Sequence, residues 1–201
     1  MTPKQAERIR KKISDIRAIL AAEKKRFGDY DDSRGLRYVP PRYFIQLGDY
    51  KGGLRYLQWF ARTFSDDSGF PDFLFEWTVI LFKCAKTKEA VKKAFETYCA
   101  NTYLFDKFFG RPIVPIDKWE HSNLAIPAFA GYFNYSSSQP ELTDFSEWLA
   151  KLIANEEFKN HCEKYIQILK RLKTEDDRET RGYLLKQVHQ LQENVPGVAV
   201  K

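Results

Sequence analysis

The apolar positions of the chain recur mostly every three or four residues, which is the spacing of one face of an α-helix. In the first such run they form one narrow stripe: Ile9, Ile13, Ile16 and Leu20. Thr2 and Gln5 make a capping box before this run, and Pro3 suits the first helical turn. The pattern therefore predicts a helix over residues 3–27 with one face that another element must cover.

A polar linker over residues 28–35 leads to four further helical patterns between residues 36 and 109. Turns at residues 48–50 and 65–69 and a cap at Thr87 separate them. Because consecutive helices joined by short turns lie side by side, the four patterns predict two helix–turn–helix pairs.

The two predicted pairs match each other after a shift of 37 residues, which aligns Gly53 with Ala90. Internal similarity near this period is typical of helical arrays. The turn LGDYKGGL (47–54) and its second copy CAKTKEAV (84–91) resemble the inter-helix turn of the tetratricopeptide repeat family. Each copy of the turn has a small residue, Gly53 in the first and Ala90 in the second. A small residue matters there because two helices cross and leave no room for a larger side chain.

The resemblance implies an all-α fold of antiparallel helix pairs in a short right-handed tetratricopeptide-like array. It covers about residues 36–109, and residues 141–173 are a candidate for a divergent third pair. An irregular insertion at 110–140 interrupts the array. The length of 201 residues suits one domain over 1–201.

The insertion at 110–140 begins with extended backbone, because Pro112 and Pro115 cannot continue a helix. The following residues predict a short helix from Trp119 to Ile126. Four rings come next: Phe129, Tyr132, Phe133 and Tyr135. Two interpretations stay open, since these rings either pack over the helices or form a lid or ligand-contact loop.

Helical patterns resume over residues 141–194 and predict three C-terminal helices. Ser138 is predicted to cap the first of them and residues 156–173 to form the second. Thr174 and Asp177 are predicted to cap the last helix, whose charged outer face suits the end of a helical array.

The net charge of +6 comes entirely from the N-terminal segment. Residues 1–26 hold nine basic and three acidic side chains, and the rest of the chain holds 24 of each. Such a segment is either a solvated helix face or a surface for an anionic partner such as nucleic acid or a membrane. The candidate anion-binding residues are Arg8, Lys11, Lys12, Lys24, Lys25 and Arg26.

The sequence contains none of the common catalytic, phosphate-binding or metal-binding motifs, so we expect no cofactor and no metal. Three scattered cysteines predict a reduced, cytoplasmic setting, and no apolar run is long enough to span a bilayer. Glu120 and His121, beside Trp119, form the one acid–base cluster that deserves inspection. An enzyme would need one of them to face a pocket with a strongly perturbed pKa.

The family resemblance implies a concave face that binds a peptide or a partner helix. The residues that match its positions are Tyr38, Arg42, Gln46, Phe75, Val79 and Lys83, with Ile45 and Phe82 beside them. The leading hypothesis is therefore a non-enzymatic scaffold or adaptor for protein partners. Its alternatives are an anion-binding module that uses the basic helix 3–27, and an enzyme with a site under the 110–140 loop. The apolar groove along the predicted concave face is expected either to be open to a partner or to be filled by the helix 3–27 or the 110–140 loop.

Overall fold

The computed structural model describes residues 1–30 and 32–198, and most of these residues lie in helices. Within these ranges there are ten α-helices, two short 3-10 turns and no strand, which confirms the predicted all-α class. The chain divides into two compact units, Met1–Ala85 and Lys86–Lys201, called here the N-terminal and the C-terminal unit. The boundary lies inside the second predicted helix pair, so the repeat arrangement stays a prediction.

The N-terminal unit begins with a long amphipathic helix and continues with three shorter ones. They are α1 (Pro3–Phe27), α2 (Pro40–Leu47), α3 (Tyr50–Thr63) and α4 (Pro71–Lys83). Both halves of the predicted capping box at Thr2 and Gln5 are present. The apolar stripe of α1 is buried from Ile13 onwards, and Ile13 packs against Phe44 of α2 and Tyr56 of α3. The same chain therefore covers the face that the sequence left open.

The turn between α2 and α3 has the geometry that its sequence predicts. Gly48 ends α2 with a φ of +66°, a left-handed conformation that favours glycine. Asp49 caps α3 by accepting a hydrogen bond from the Gly52 backbone N–H at 2.9 Å. A Cβ atom on Gly53 would lie 2.9 Å from Ile80 Cδ1 and 3.1 Å from Phe44 Cβ. The expectation that only a small side chain fits at this position is confirmed.

This close approach leads to a prediction with an internal control. Gly182, inside the last helix, has open space where a Cβ would stand, so Gly182→Ala should stabilise the protein by about 0.5–1 kcal/mol through helix propensity. Gly53→Ala should instead destabilise it by about 1 kcal/mol, because overpacking outweighs the same gain in propensity. Urea unfolding of both variants measures the difference. Equal changes of the same sign in the free energy of unfolding of the two variants would contradict the crowding at Gly53.

Over residues 86–198, the C-terminal unit contains six α-helices. They are α5 (Thr87–Ala100), α6 (Leu104–Phe108), α7 (Pro127–Ala130), α8 (Thr143–Ala154), α9 (Glu156–Thr174) and α10 (Arg178–Glu193). Ser138 is not the cap of α8, since a 3-10 turn over Pro140–Leu142 precedes that helix and the Ser138 hydroxyl bonds to Ser136. Thr174 is the last residue of α9, and Asp177 alone caps α10.

The insertion at 110–140 is attached to the helices of the C-terminal unit by hydrogen bonds. The Trp119 N–H donates to the Leu169 carbonyl, and the Asn101 amide donates to the carbonyls of Leu124 and Ile126. None of residues 119–126 is helical, so the predicted helix from Trp119 to Ile126 is wrong.

The rings of the insertion differ in their exposure. Phe133 is buried, whereas the Tyr132 side chain is among the most exposed in the described chain. The interpretation that the rings pack over the helices therefore fits Phe133, whereas Tyr132 lies at the surface.

Candidate functional site

The six residues predicted to line a concave face do not form one accessible surface. Phe75 and Val79 have no exposed area, so they are removed as partner-binding candidates. Their helix, α4, is apolar on almost every side and is buried for most of its length, as expected for a helix without a polar face. The run PDFLFEWTVILF already carries that signal in the sequence.

The polar members of the predicted concave face make contacts inside the N-terminal unit. The Tyr38 hydroxyl donates to Asp67 at 2.6 Å, and Arg42 forms ion pairs with Asp72 and Glu76 of α4. The Lys83 ammonium lies 5.4 Å from the centre of the Tyr50 ring, and only Gln46 is exposed. Arg42 thus connects α2 to α4, and Lys83 lies between α4 and α3.

The six candidate anion-binding residues of α1 are all exposed: Arg8, Lys11, Lys12, Lys24, Lys25 and Arg26. Within residues 1–30 and 32–198 none of the six forms an ion pair. Three of them lie over rings instead, at 5.5 Å for Lys12 over Tyr43, 4.9 Å for Lys24 over Tyr30 and 5.0 Å for Arg26 over Phe27. The last turn of α1 carries Lys24, Lys25 and Arg26. Their positive charges stabilise the helix by interacting with the negative end of its dipole.

A groove of about 770 Å³ lies between α1 and the α2–α3 pair, and it is called here the α1 groove. Three arginines that the sequence analysis did not single out line it: Arg10 and Arg17 on α1 and Arg55 on α3. Its apolar lining consists of Ile13, Ala18, Phe44, Leu47, Tyr56 and Trp59, and its further polar lining includes Ser14 and Asp49. Arg10 and Arg17 stand three residues before and four after Ile13, a helical spacing that marks them as flanking the apolar stripe.

The electrostatics of the α1 groove are dominated by guanidinium groups. Arg10, Arg17 and Arg55 are exposed, and none of them has an ion-pair partner among the residues that the structure describes. Burial, and secondly the Asp32 carboxylate, raises the pKa of Tyr56, while the Arg17 charge acts in the opposite direction. The groove thus joins an excess of positive charge, three arginines against Asp49, to an apolar lining.

A polar network fixes the linker that connects α1 to α2. The buried Asp32 carboxylate accepts hydrogen bonds from the backbone N–H groups of Leu36 and Arg37 at 2.8 and 2.7 Å. The Arg37 guanidinium donates to Asp67 at 2.8 Å, and the Arg37 carbonyl accepts from the Tyr56 hydroxyl at 2.7 Å. Because Tyr56 also lines the α1 groove, this network ties the linker to the groove wall.

Two titratable groups of the network have shifted pKa values. Burial, together with the neighbouring Asp67 carboxylate, raises the pKa of Tyr38 to about 12. Burial opposes ionisation of Asp67, but hydrogen bonds from Tyr38, the Gly69 N–H and Arg37 outweigh it and lower the pKa of that carboxyl group. At neutral pH the network therefore holds a charged Asp67 against a neutral Tyr38.

The acid–base cluster of the C-terminal unit is centred on a buried lysine. The Lys118 ammonium pairs with Glu120 at 2.5 Å and lies 5.3 Å from the centre of the Tyr103 ring. The Tyr103 hydroxyl donates to Glu120 at 3.3 Å. His121 is exposed, and local desolvation followed by the Lys118 charge lowers its pKa, so it is neutral at pH 7. Neither Glu120 nor His121 lines the α1 groove.

The described part of the chain offers no group of three or more His, Cys, Asp or Glu side chains that could hold a metal ion. Among residues 1–30 and 32–198, no helix is both long enough and apolar enough to cross a membrane. Comparison of the chain with models of protein families, with curated proteins and with solved structures found no match. The α1 groove is therefore the feature of the molecule from which a function is inferred.

Proposed function

We propose that the protein is a non-enzymatic interaction module, an adaptor, that binds an acidic amphipathic helix of a protein partner in the α1 groove. The observation that carries this proposal is the combination of three arginines without ion-pair partners and an apolar lining in one groove. A helix that lays its apolar face into a groove is a common mode of recognition, and acidic side chains on its flanks would pair with the arginines.

The composition of the groove lining favours a helix over stacked bases. Sequence-tolerant binding of single strands needs exposed ring faces on which bases stack. Phe44 and Tyr56 are buried, and the half-buried Trp59 contacts the rings of Tyr30 and Tyr56. An aliphatic side chain needs only contact with the edges of such rings, so a partner's Leu or Ile suits this lining better.

A second candidate function is the binding of a nucleic acid by the outer face of α1. The exposure of all six predicted anion-binding side chains, without ion pairs among the described residues, favours it. In this alternative the contacts are with phosphates, so the affinity would fall steeply with salt concentration.

A peptide selection tests the leading proposal. A displayed library of random 16-residue peptides is selected on the full-length protein and counter-selected on the triple variant Arg10→Gln/Arg17→Gln/Arg55→Gln. We expect the selected peptides to combine apolar residues at helical spacing with Asp and Glu on the flanks. Their affinity should fall by about tenfold in the triple variant, because partly desolvated ion pairs contribute about 0.5 kcal/mol each.

The matched control is a second triple variant with the same change of charge outside the groove, Lys24→Gln/Lys25→Gln/Arg26→Gln. It should bind the selected peptides nearly as well as the unaltered protein does. The proposal would be overturned if no selected peptide bound the unaltered protein more tightly than it bound the groove variant. Binding of a labelled 20-nucleotide single strand that falls steeply with salt, and that the Lys24/Lys25/Arg26 variant weakens more than the groove variant does, would favour the second candidate instead.

A further inference from the structure

A short segment with two prolines and no helix or strand runs over the surface of the C-terminal unit between α6 and α7. Residues 111–116 read Arg-Pro-Ile-Val-Pro-Ile, and no helix, strand or turn includes them. Pro112, Val114 and Pro115 are exposed, and Val114 keeps 68% of its surface. Ile113 and Ile116 are half-buried, so the segment presents its prolines to solvent and rests on its isoleucines.

The prolines restrict the backbone of this segment to extended conformations. Each proline ring fixes its own φ near −65°, and it disfavours the helical region for the residue before it, here Arg111 and Val114. An extended polyproline-type helix has three residues per turn. Pro112 and Pro115 are three residues apart, so they lie on the same edge of such a helix.

Hydrogen bonds hold the segment at both ends and leave its middle free. The Arg111 N–H donates to the Asp106 carbonyl at 2.8 Å, and the Ile116 N–H donates to the Tyr103 hydroxyl at 3.0 Å. Among the described residues the backbone N–H groups of Ile113 and Val114 have no hydrogen-bond partner. The segment is therefore already ordered, and a partner that binds it loses little further conformational entropy.

We propose that Arg111–Pro115 is a preformed ligand for an SH3-type domain, which reads a Pro-x-x-Pro edge with an aromatic-lined groove. Arg111 directly precedes the first proline and supplies the positive charge that an acidic residue beside such a groove would pair with. Its own ion pair with Asp106 is long, at 3.7 Å, and both side chains are about half exposed. Such an exposed ion pair contributes little stability, so Arg111 can exchange the Asp106 carboxylate for a carboxylate of the partner. This inference is independent of the α1 groove.

The test uses the full-length protein and a panel of purified SH3 domains in a surface-binding assay. We expect at least one domain to bind, and Pro112→Ala/Pro115→Ala to weaken that binding by about tenfold or more. Arg111→Glu should weaken it as well. Pro140→Ala changes an exposed proline of the same unit and should leave the binding unaltered. Circular dichroism of each variant verifies that the helices remain.

Two results would overturn the inference. The first is that no domain of the panel binds the protein, or that a bound domain does not distinguish the double proline variant from the unaltered chain. The second is that a peptide of residues 109–118 binds a domain while the full-length protein does not, because the segment would then be inaccessible in the folded unit.

Discussion

Asp32→Ala is expected to lower the free energy of unfolding of the protein by about 3 kcal/mol, because it leaves two partly buried backbone N–H groups without an acceptor. The Asp32 side chain has no exposed area, and its two oxygens accept from the backbone N–H groups of Leu36 and Arg37. The Arg37 guanidinium also lies 3.4 Å from the same carboxylate. Removal of the carboxylate deprives both backbone donors of their acceptor and removes one of the two ion pairs of Arg37.

The control for this prediction is Asp66→Ala, which removes an exposed carboxylate from the same unit. It should change the free energy of unfolding by less than about 0.5 kcal/mol. Urea unfolding followed by tryptophan fluorescence measures both variants. Equal losses, or a loss below about 1 kcal/mol for Asp32→Ala, would contradict the role given to the linker network. Since this network holds the linker to Tyr56, Asp32→Ala should also lower the affinity of the protein for the peptides selected for the α1 groove.

Glu120→Ala is expected to destabilise the protein by about 3 kcal/mol, because it leaves the Lys118 ammonium buried without its counter-charge. The Lys118 side chain is only 1% exposed, whereas Glu120 keeps 24%. Lys118→Met removes the buried charge and keeps most of the volume, and it should cost less, about 1 kcal/mol, because the Glu120 carboxylate that loses its partner is partly exposed and keeps the Tyr103 hydroxyl. The two variants therefore separate the cost of an unpaired charge from the loss of packing.

The double variant Lys118→Met/Glu120→Ala completes this comparison. It should be more stable than Glu120→Ala by about 2 kcal/mol, because no buried charge then lacks a partner. Thermal or urea unfolding of the three variants gives the coupling energy. A double variant that is less stable than Glu120→Ala would mean that Lys118 contributes mainly through its packing against Tyr103.

The corrections to the sequence analysis have a common physical origin. Residues 119–126 are not helical, and the side chain of Asn101, more than twenty residues earlier, holds this segment by donating to the carbonyls of Leu124 and Ile126. Phe75 and Val79 are unavailable to a partner because α4 is buried on almost every side. Local periodicity contains no information about which distant groups compete for a hydrogen bond, although the composition of α4 did indicate its burial.

The sequence by itself determined the all-α class, the capping box and apolar stripe of α1, and the turn at Gly48 and Asp49, because local sterics and capping decide these features. It also located the excess of positive charge in residues 1–26. Only the tertiary structure decided that Arg10 and Arg17 share a groove with Arg55, which is 38 residues farther along the chain than Arg17. A groove arises from the packing of α1 on α2 and α3, and that packing depends on the complementary shapes of faces distant in sequence.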